Sequence, residues 1–147
     1  MKVLLAAVLA LATPAAAGLG DDIRLGAGVT IVEATPIPVI VKAPQDYVGK
    51  TVRIDGVATA VCEEMGCWMA VADSARKDAP TIRLKVEHDG AIVFPMSAKG
   101  KHVSAEGTFE SIGGGDAHGK QAAAEHKKAD EQASTQFQIK ATGAVIH

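Results

Sequence analysis

The sequence comprises 147 residues, in which 15 lysine and arginine residues face 17 aspartate and glutamate residues, giving a formal net charge of −2. This balance provides no basic surface for binding nucleic acid. Aromatic residues make up 3% of the chain, which is few for a protein that stacks bases or sugars on aromatic rings. The length suits one domain with its own hydrophobic core.

The first 17 residues have the pattern of a secretory signal peptide. Lys2 carries a positive charge, and residues 3–12 form an unbroken apolar run of Val, Leu and Ala. Alanines at 15–17 supply the small residues that a signal peptidase recognises, so we expect cleavage after Ala17. The apolar run is too short to span a bilayer of roughly 30 Å as a helix. The sequence therefore predicts a periplasmic protein without a membrane anchor.

An N-terminal leader and an edge strand are predicted for residues 18–48. Gly18–Gly28 is polar and contains several glycines, and Val29–Glu33 is a candidate strand. A Pro-Ile-Pro sequence then predicts an extended edge segment that continues through Val39–Val41.

A β-barrel domain is predicted for residues 49–147. Alternating β-branched residues predict a long strand over Thr51–Val61, bent where the alternation slips at Gly56. An Ala-, Glu- and Lys-rich segment at 119–132 predicts one short helix before the last strand. The fold class is thus mainly β, a small antiparallel barrel of OB-like type. The remaining predicted strands are Cys67–Ala72, Thr81–Val86, Ala91–Phe94, His102–Glu110 and Gln136–Ile146.

Two cysteines, Cys62 and Cys67, flank a predicted four-residue hairpin loop. As the closing cross-strand pair, they would have Cα atoms about 4.5–5.5 Å apart. This separation permits a structural disulfide, two thiolates on one metal ion, or a redox-active dithiol. The four-residue spacing differs from the two-residue spacing of thioredoxin-type motifs.

Soft ligands near the cysteines favour copper over zinc. Met69 should share a face with Cys67, and Met96, His102 or His126 could reach the same rim. Thiolate and thioether ligands select Cu(I), whereas structural zinc takes four Cys or His ligands. The sequence therefore predicts a Cu(I)-handling site made of Cys62, Cys67, Met69, Met96 and His126.

Two other functions stay open at this level. One is a non-enzymatic binding or structural module in which Cys62–Cys67 is an inert disulfide, and the other is a thiol–disulfide redox protein. The sequence contains no serine nucleophile motif and no phosphate-binding loop. We expect a monomer whose partner is a metal ion or an unidentified protein.

Several short blocks of the chain form a recognisable pattern: Val61-Cys62, Gly66-Cys67-Trp68-Met69, Ile82–Val86, Val93-Phe94-Pro95, Gly100-Lys101, Glu106-Gly107, Glu125-His126, Ala129-Asp130 and Ala141–Ile146. Together these blocks resemble the bacterial exported domain-of-unknown-function family 4920. The resemblance covers residues 49–146 and implies a small β-barrel outside the cytoplasm, without an established activity.

Overall fold

A computed structural model describes residues 21–87, 91–112 and 136–147. The predicted signal peptide, the predicted helix at 119–132 and His126 lie outside the described residues. Within the described ranges, no helix is long and apolar enough to cross a membrane. The elements are β1 (Ile23–Gly26), α1 (Ile37–Lys42), β2 (Thr51–Val61), β3 (Trp68–Ala72), β4 (Thr81–Lys85), β5 (His102–Ser111) and β6 (Phe137–Ile146).

Five of the six strands in the described residues close into a barrel. The strand order is β1-β6-β4-β3-β2-β5, and a further pairing of β5 with β6 closes the ring. β4 and β6 run parallel, while the other strand pairs of the described residues are antiparallel. This architecture confirms the predicted small barrel and is compatible with the OB fold, a five-stranded Greek-key barrel.

β1 is an additional strand beside the barrel. It pairs with the second half of β6, from Ile23 opposite Ile146 to Gly26 opposite Gly143, while β4 pairs with the first half. The predicted leader therefore contains a strand. The candidate strand Val29–Glu33 is wrong, because these residues form no strand in the structure.

The predicted extended segment at Val39–Val41 is also wrong, because these residues belong to α1. A proline in the first helical turn is tolerated, since the amide it lacks has no partner inside the helix. Ile37 and Ile40 are three residues apart on one face of the helix and are both fully buried. Burial of these two side chains against the barrel favours the helix over a strand.

The bend in β2 lies beyond the predicted position. Gly56 pairs regularly with Val103 of β5, whereas the register with β3 shifts between Ala58 and Ala60. The predicted slip at Gly56 is therefore wrong. Gly56 and Ala58 face the core. A Cβ at position 56 would lie 2.3 Å from the Ala72 carbonyl oxygen of β3, so this position requires glycine.

Glu106 holds the segment before α1 against the barrel. Its side chain is 6% exposed, and its carboxylate accepts hydrogen bonds from the backbone N–H of Thr30 at 2.7 Å and of Ile31 at 2.8 Å. Burial alone would raise the pKa of Glu106. These hydrogen bonds and the charge of Arg53 outweigh burial and hold the pKa of Glu106 below its ordinary value.

A dithiol at the rim of the barrel

The cysteines lie in the loop that joins β2 to β3. β2 ends at Val61 and β3 begins at Trp68, so residues 62–67 are outside both strands. The N–H of Cys62 donates to the Trp68 carbonyl at 3.0 Å, and the N–H of Gly66 donates to the Cys62 carbonyl at 3.1 Å. We call residues 62–67 the cysteine loop.

The two cysteines are not a cross-strand pair, in contrast to the sequence prediction. Val57 pairs with Ala72, and this register, continued along the hairpin, would bring Cys62 opposite Cys67. The bulge at Thr59 adds one unpaired residue to β2, so that Val61 pairs with Met69. The bulge therefore places Cys67 inside the turn.

The sulfur atoms nevertheless meet. The Cys67 thiol donates to the Cys62 sulfur with the two Sγ atoms 3.4 Å apart. Both residues are free thiols and partly exposed, and Cys67 also packs against the hydrophobic core. The pair is thus held in contact while staying open to a ligand from solvent.

The segment after β4 is hydrogen-bonded to the cysteine loop through its backbone. The N–H of Val86 donates to the Cys67 carbonyl, and the N–H of Phe94 donates to the Gly66 carbonyl, both at 3.0 Å. Gly66 has φ of +60°, and a Cβ there would lie 2.4 Å from the Phe94 carbonyl oxygen. Only glycine fits this position without a shift of the backbone. Phe94 was predicted to end a strand, but residues 91–95 form none.

The two thiols differ in acidity. Backbone hydrogen bonding from Met65, followed by the hydrogen bond from the Cys67 thiol, lowers the pKa of Cys62 to about 7. The hydrogen bond to Cys62 and burial raise the pKa of Cys67, with the charge of Arg83 acting in the opposite direction. Cys62 is therefore the thiol that ionises first, near neutral pH, and Cys67 is its hydrogen-bond donor.

Trp68 directly follows Cys67, and its ring is in contact with Arg83. The guanidinium carbon of Arg83 lies 5.0 Å from the centroid of the Trp68 ring, within the range of a cation–π interaction. Trp68 is only half-buried and pairs with Lys85 across the strands. Arg83 was not among the predicted site residues, although its position on β4 beside β3 follows once the strand register is known.

The structure separates the predicted ligands. Met69 is fully buried in the core, Met96 is 46% exposed on a short 3-10 turn, and Met65 is 64% exposed in the cysteine loop. His102 pairs with Val57, five residues before Cys62 on β2 and roughly 15 Å away along the strand. His126 lies outside the described residues.

Among residues 21–87, 91–112 and 136–147, no three His, Cys, Asp or Glu side chains converge as a group that could hold a metal ion. The dithiol is therefore a two-sulfur site, with methionines as the soft groups nearest in the chain.

A separate cleft of about 370 Å³ lies where β1 and β4 diverge along β6. Its charged lining residues, Glu87 and Lys140, form an ion pair with each other.

Compared with known proteins, the sequence matches no family model, and no curated protein matches it. The resemblance to family 4920 stays a prediction from the blocks that carry it.

Proposed function

We propose that this protein binds one Cu(I) ion between the sulfur atoms of Cys62 and Cys67, and that it does so in the periplasm. The observation that carries the proposal is the contact of two partly exposed thiols at 3.4 Å. The predicted signal peptide at residues 1–17 supports the location.

The sulfur separation suits one bridging ion. With metal–sulfur bonds near 2.3 Å, a 3.4 Å separation corresponds to a sulfur–metal–sulfur angle of about 95°. Opening the pair by ~0.6 Å gives the ~120° of a trigonal site. A cysteine loop outside the strands can supply this movement without breaking the barrel ladder.

The ligand types favour Cu(I) over zinc. Structural zinc takes four ligands from Cys and His, and the described residues bring no third His, Cys, Asp or Glu to the pair. Cu(I) is soft and is selected by thiolate and thioether ligands. A thioether beside the two thiols would therefore add affinity for Cu(I) and add little for zinc.

A second function, thiol–disulfide exchange, is favoured by the unequal acidity of the touching thiols. The Cys62 thiolate would attack a disulfide RSSR and displace one RS⁻, which leaves a mixed disulfide on Cys62. Cys67, after losing its proton, would then attack the Cys62 sulfur and displace the second RS⁻. The substrate disulfide is reduced to two thiols, and the cysteine pair is oxidised.

Competition for Cu(I) against a chromophoric chelator tests the first function. The reduced mature chain should take up one equivalent of Cu(I), and Cys62→Ser and Cys67→Ser should each lose this uptake. Glu64→Gln is a matched control, because its exposed side chain belongs to the same loop without a sulfur. Unchanged uptake by the serine variants, or a preference for zinc, contradicts the proposal.

Incubation with a small-molecule disulfide tests the second function. Exchange that ceases in Cys62→Ser, without Cu(I) uptake by the wild-type chain, favours the redox protein. A pair that is oxidised on purification, resists mild reduction and takes up no metal favours the structural disulfide.

A further inference from the structure

We infer that the thioether of Met65 is the third ligand of the proposed copper site, so that Cu(I) is held by three sulfur atoms. This inference rests on the proposed function. It assigns to Met65 the role that the sequence pattern gives to Met69.

Met65 belongs to the loop that wraps around the thiols. It is three residues after Cys62 and two before Cys67, in the loop whose ends are joined by the hydrogen bond from the Gly66 N–H to the Cys62 carbonyl at 3.1 Å. Its side chain is 64% exposed, so the thioether is free to turn toward an ion without leaving a packed position. The unbranched methionine side chain has three rotatable bonds and adapts readily to such a shift.

Met69 is poorly placed to exchange an ion with solvent. Its side chain is fully buried, and its strand neighbours Val61 and Leu84 also face the core. Cu(I) could reach its sulfur only by entering the hydrophobic core. Met69 is therefore assigned to packing, which is the commoner role of a buried methionine.

Met96 provides a matched exposed methionine, two residues after the Phe94 that contacts the cysteine loop. Two backbone contacts fix its segment: the Phe94 N–H to the Gly66 carbonyl, and the Gly100 N–H to the Ala58 carbonyl. Met96 is 46% exposed but belongs to a different segment from the thiols. It serves as the control for removing an exposed thioether that is outside the cysteine loop.

The thioether, as the third ligand, would set both the metal selectivity of the site and the exchange of the ion with solvent. Two thiolates and a neutral thioether form a trigonal soft site that suits Cu(I) and leaves harder ions under-coordinated. Because the Met65 side chain is on the solvent side, the ion can enter or leave by rotation of that side chain alone. The site would thus hold Cu(I) and still release it to a partner with sulfur ligands.

Methionine-methyl NMR on the reduced mature chain tests the assignment. With ¹³C-methyl methionine, one equivalent of Cu(I) should shift the Met65 methyl signal strongly and the Met96 signal little. Chelator competition should show a roughly tenfold weaker affinity for Met65→Leu, and a wild-type affinity for Met96→Leu.

The outcomes separate this inference from the proposed function. If Met65→Leu binds as tightly as wild type while Cys62→Ser does not bind, the Met65 assignment fails and the dithiol site stands. A shift of the Met69 methyl in place of Met65 overturns the assignment in the same way. If the wild-type chain binds no Cu(I), both fail.

Discussion

The N–H of Cys62 donates its hydrogen bond to the carbonyl of Trp68, at 3.0 Å, one residue beyond Cys67. The bulge in β2 causes this offset, and the result is a pair of thiols that touch without being paired through strand hydrogen bonds. Their spacing therefore depends on the conformation of the cysteine loop. The loop in turn depends on Gly66 and on its contact with Phe94.

Gly66→Ala should destabilise the protein and pull the thiols apart. The left-handed backbone costs a residue with a Cβ roughly 1–2 kcal/mol, and the contact with the Phe94 carbonyl adds to it. We expect a loss of at least about 2 kcal/mol in the free energy of unfolding, measured in denaturant. Gly100→Ala is the control, because φ there is +85° but no atom lies within 4 Å of the added Cβ. Equal losses in the two variants would contradict the role of the Phe94 contact.

Alkylation of the reduced protein should distinguish the two thiols. Cys62 should react with a midpoint near pH 7, and Cys67 only at higher pH, because their pKa values are shifted in opposite directions. Peptide mapping after iodoacetamide treatment at a series of pH values measures both. Cys67→Ala should raise the pKa of Cys62 by removing one donor, while the hydrogen bond from Met65 keeps it below its ordinary value. A shared midpoint near ~8.5, the value of a free thiol, would argue against the asymmetry.

Trp68 should report events at the dithiol. It is the one tryptophan of the sequence, and Arg83 lies over its ring. Arg83→Gln should change the tryptophan emission, lower the free energy of unfolding by about 0.5–1 kcal/mol and raise the pKa of Cys67 further. Arg76→Gln, an exposed arginine on the β3–β4 connection, should leave all three quantities unchanged. Identical emission in the two variants would place Arg83 away from the ring in solution.

Glu106→Gln should lower the free energy of unfolding at neutral pH and reduce its dependence on pH in the acid range. The folded-state pKa of Glu106 is lowered, so its contribution to stability is present above the unfolded pKa of ~4.3 and is lost as pH falls through the folded value. Both backbone N–H groups donate to one carboxylate oxygen, which the neutral amide oxygen replaces only as a weaker acceptor, and the amide NH2 replaces the oxygen that accepts from the Thr30 hydroxyl. We therefore expect a loss of about 2 kcal/mol at pH 7. Denaturant unfolding from pH 7 to pH 3 measures this loss, with Glu33→Gln as the exposed control. An unchanged acid limb in Glu106→Gln would contradict the account.

Long alternating patterns identified the barrel strands, whereas the bulge in β2 and the short strand β1 could not be predicted. The bounds of β2 agree with the prediction, because Val52, Ile54 and Val61 mark the buried face. Gly56, Ala58 and Ala60 carry little hydrophobic signal, so the bulge could not be located from the sequence. β1 has four residues and is specified by pairing with β6, more than a hundred positions away.

The candidate site was predictable in composition but not in geometry. The cysteine spacing indicated thiol chemistry, and the contact of the sulfur atoms agrees with it. Met69 shares the face of Cys67, but this face is the core, which an alternating pattern alone cannot distinguish from an open rim. Phe94 contacts the loop through a backbone hydrogen bond, and Arg83 lies over the Trp68 ring that follows the loop; no local pattern encodes either contact.

The most direct test of the copper account is a count of bound copper and reactive thiols on the same sample of the reduced protein. The account predicts two reactive thiols in the apo protein, then one Cu(I) bound per chain with both thiols protected. Copper-free protein whose two thiols stay reactive after incubation with Cu(I) would contradict it.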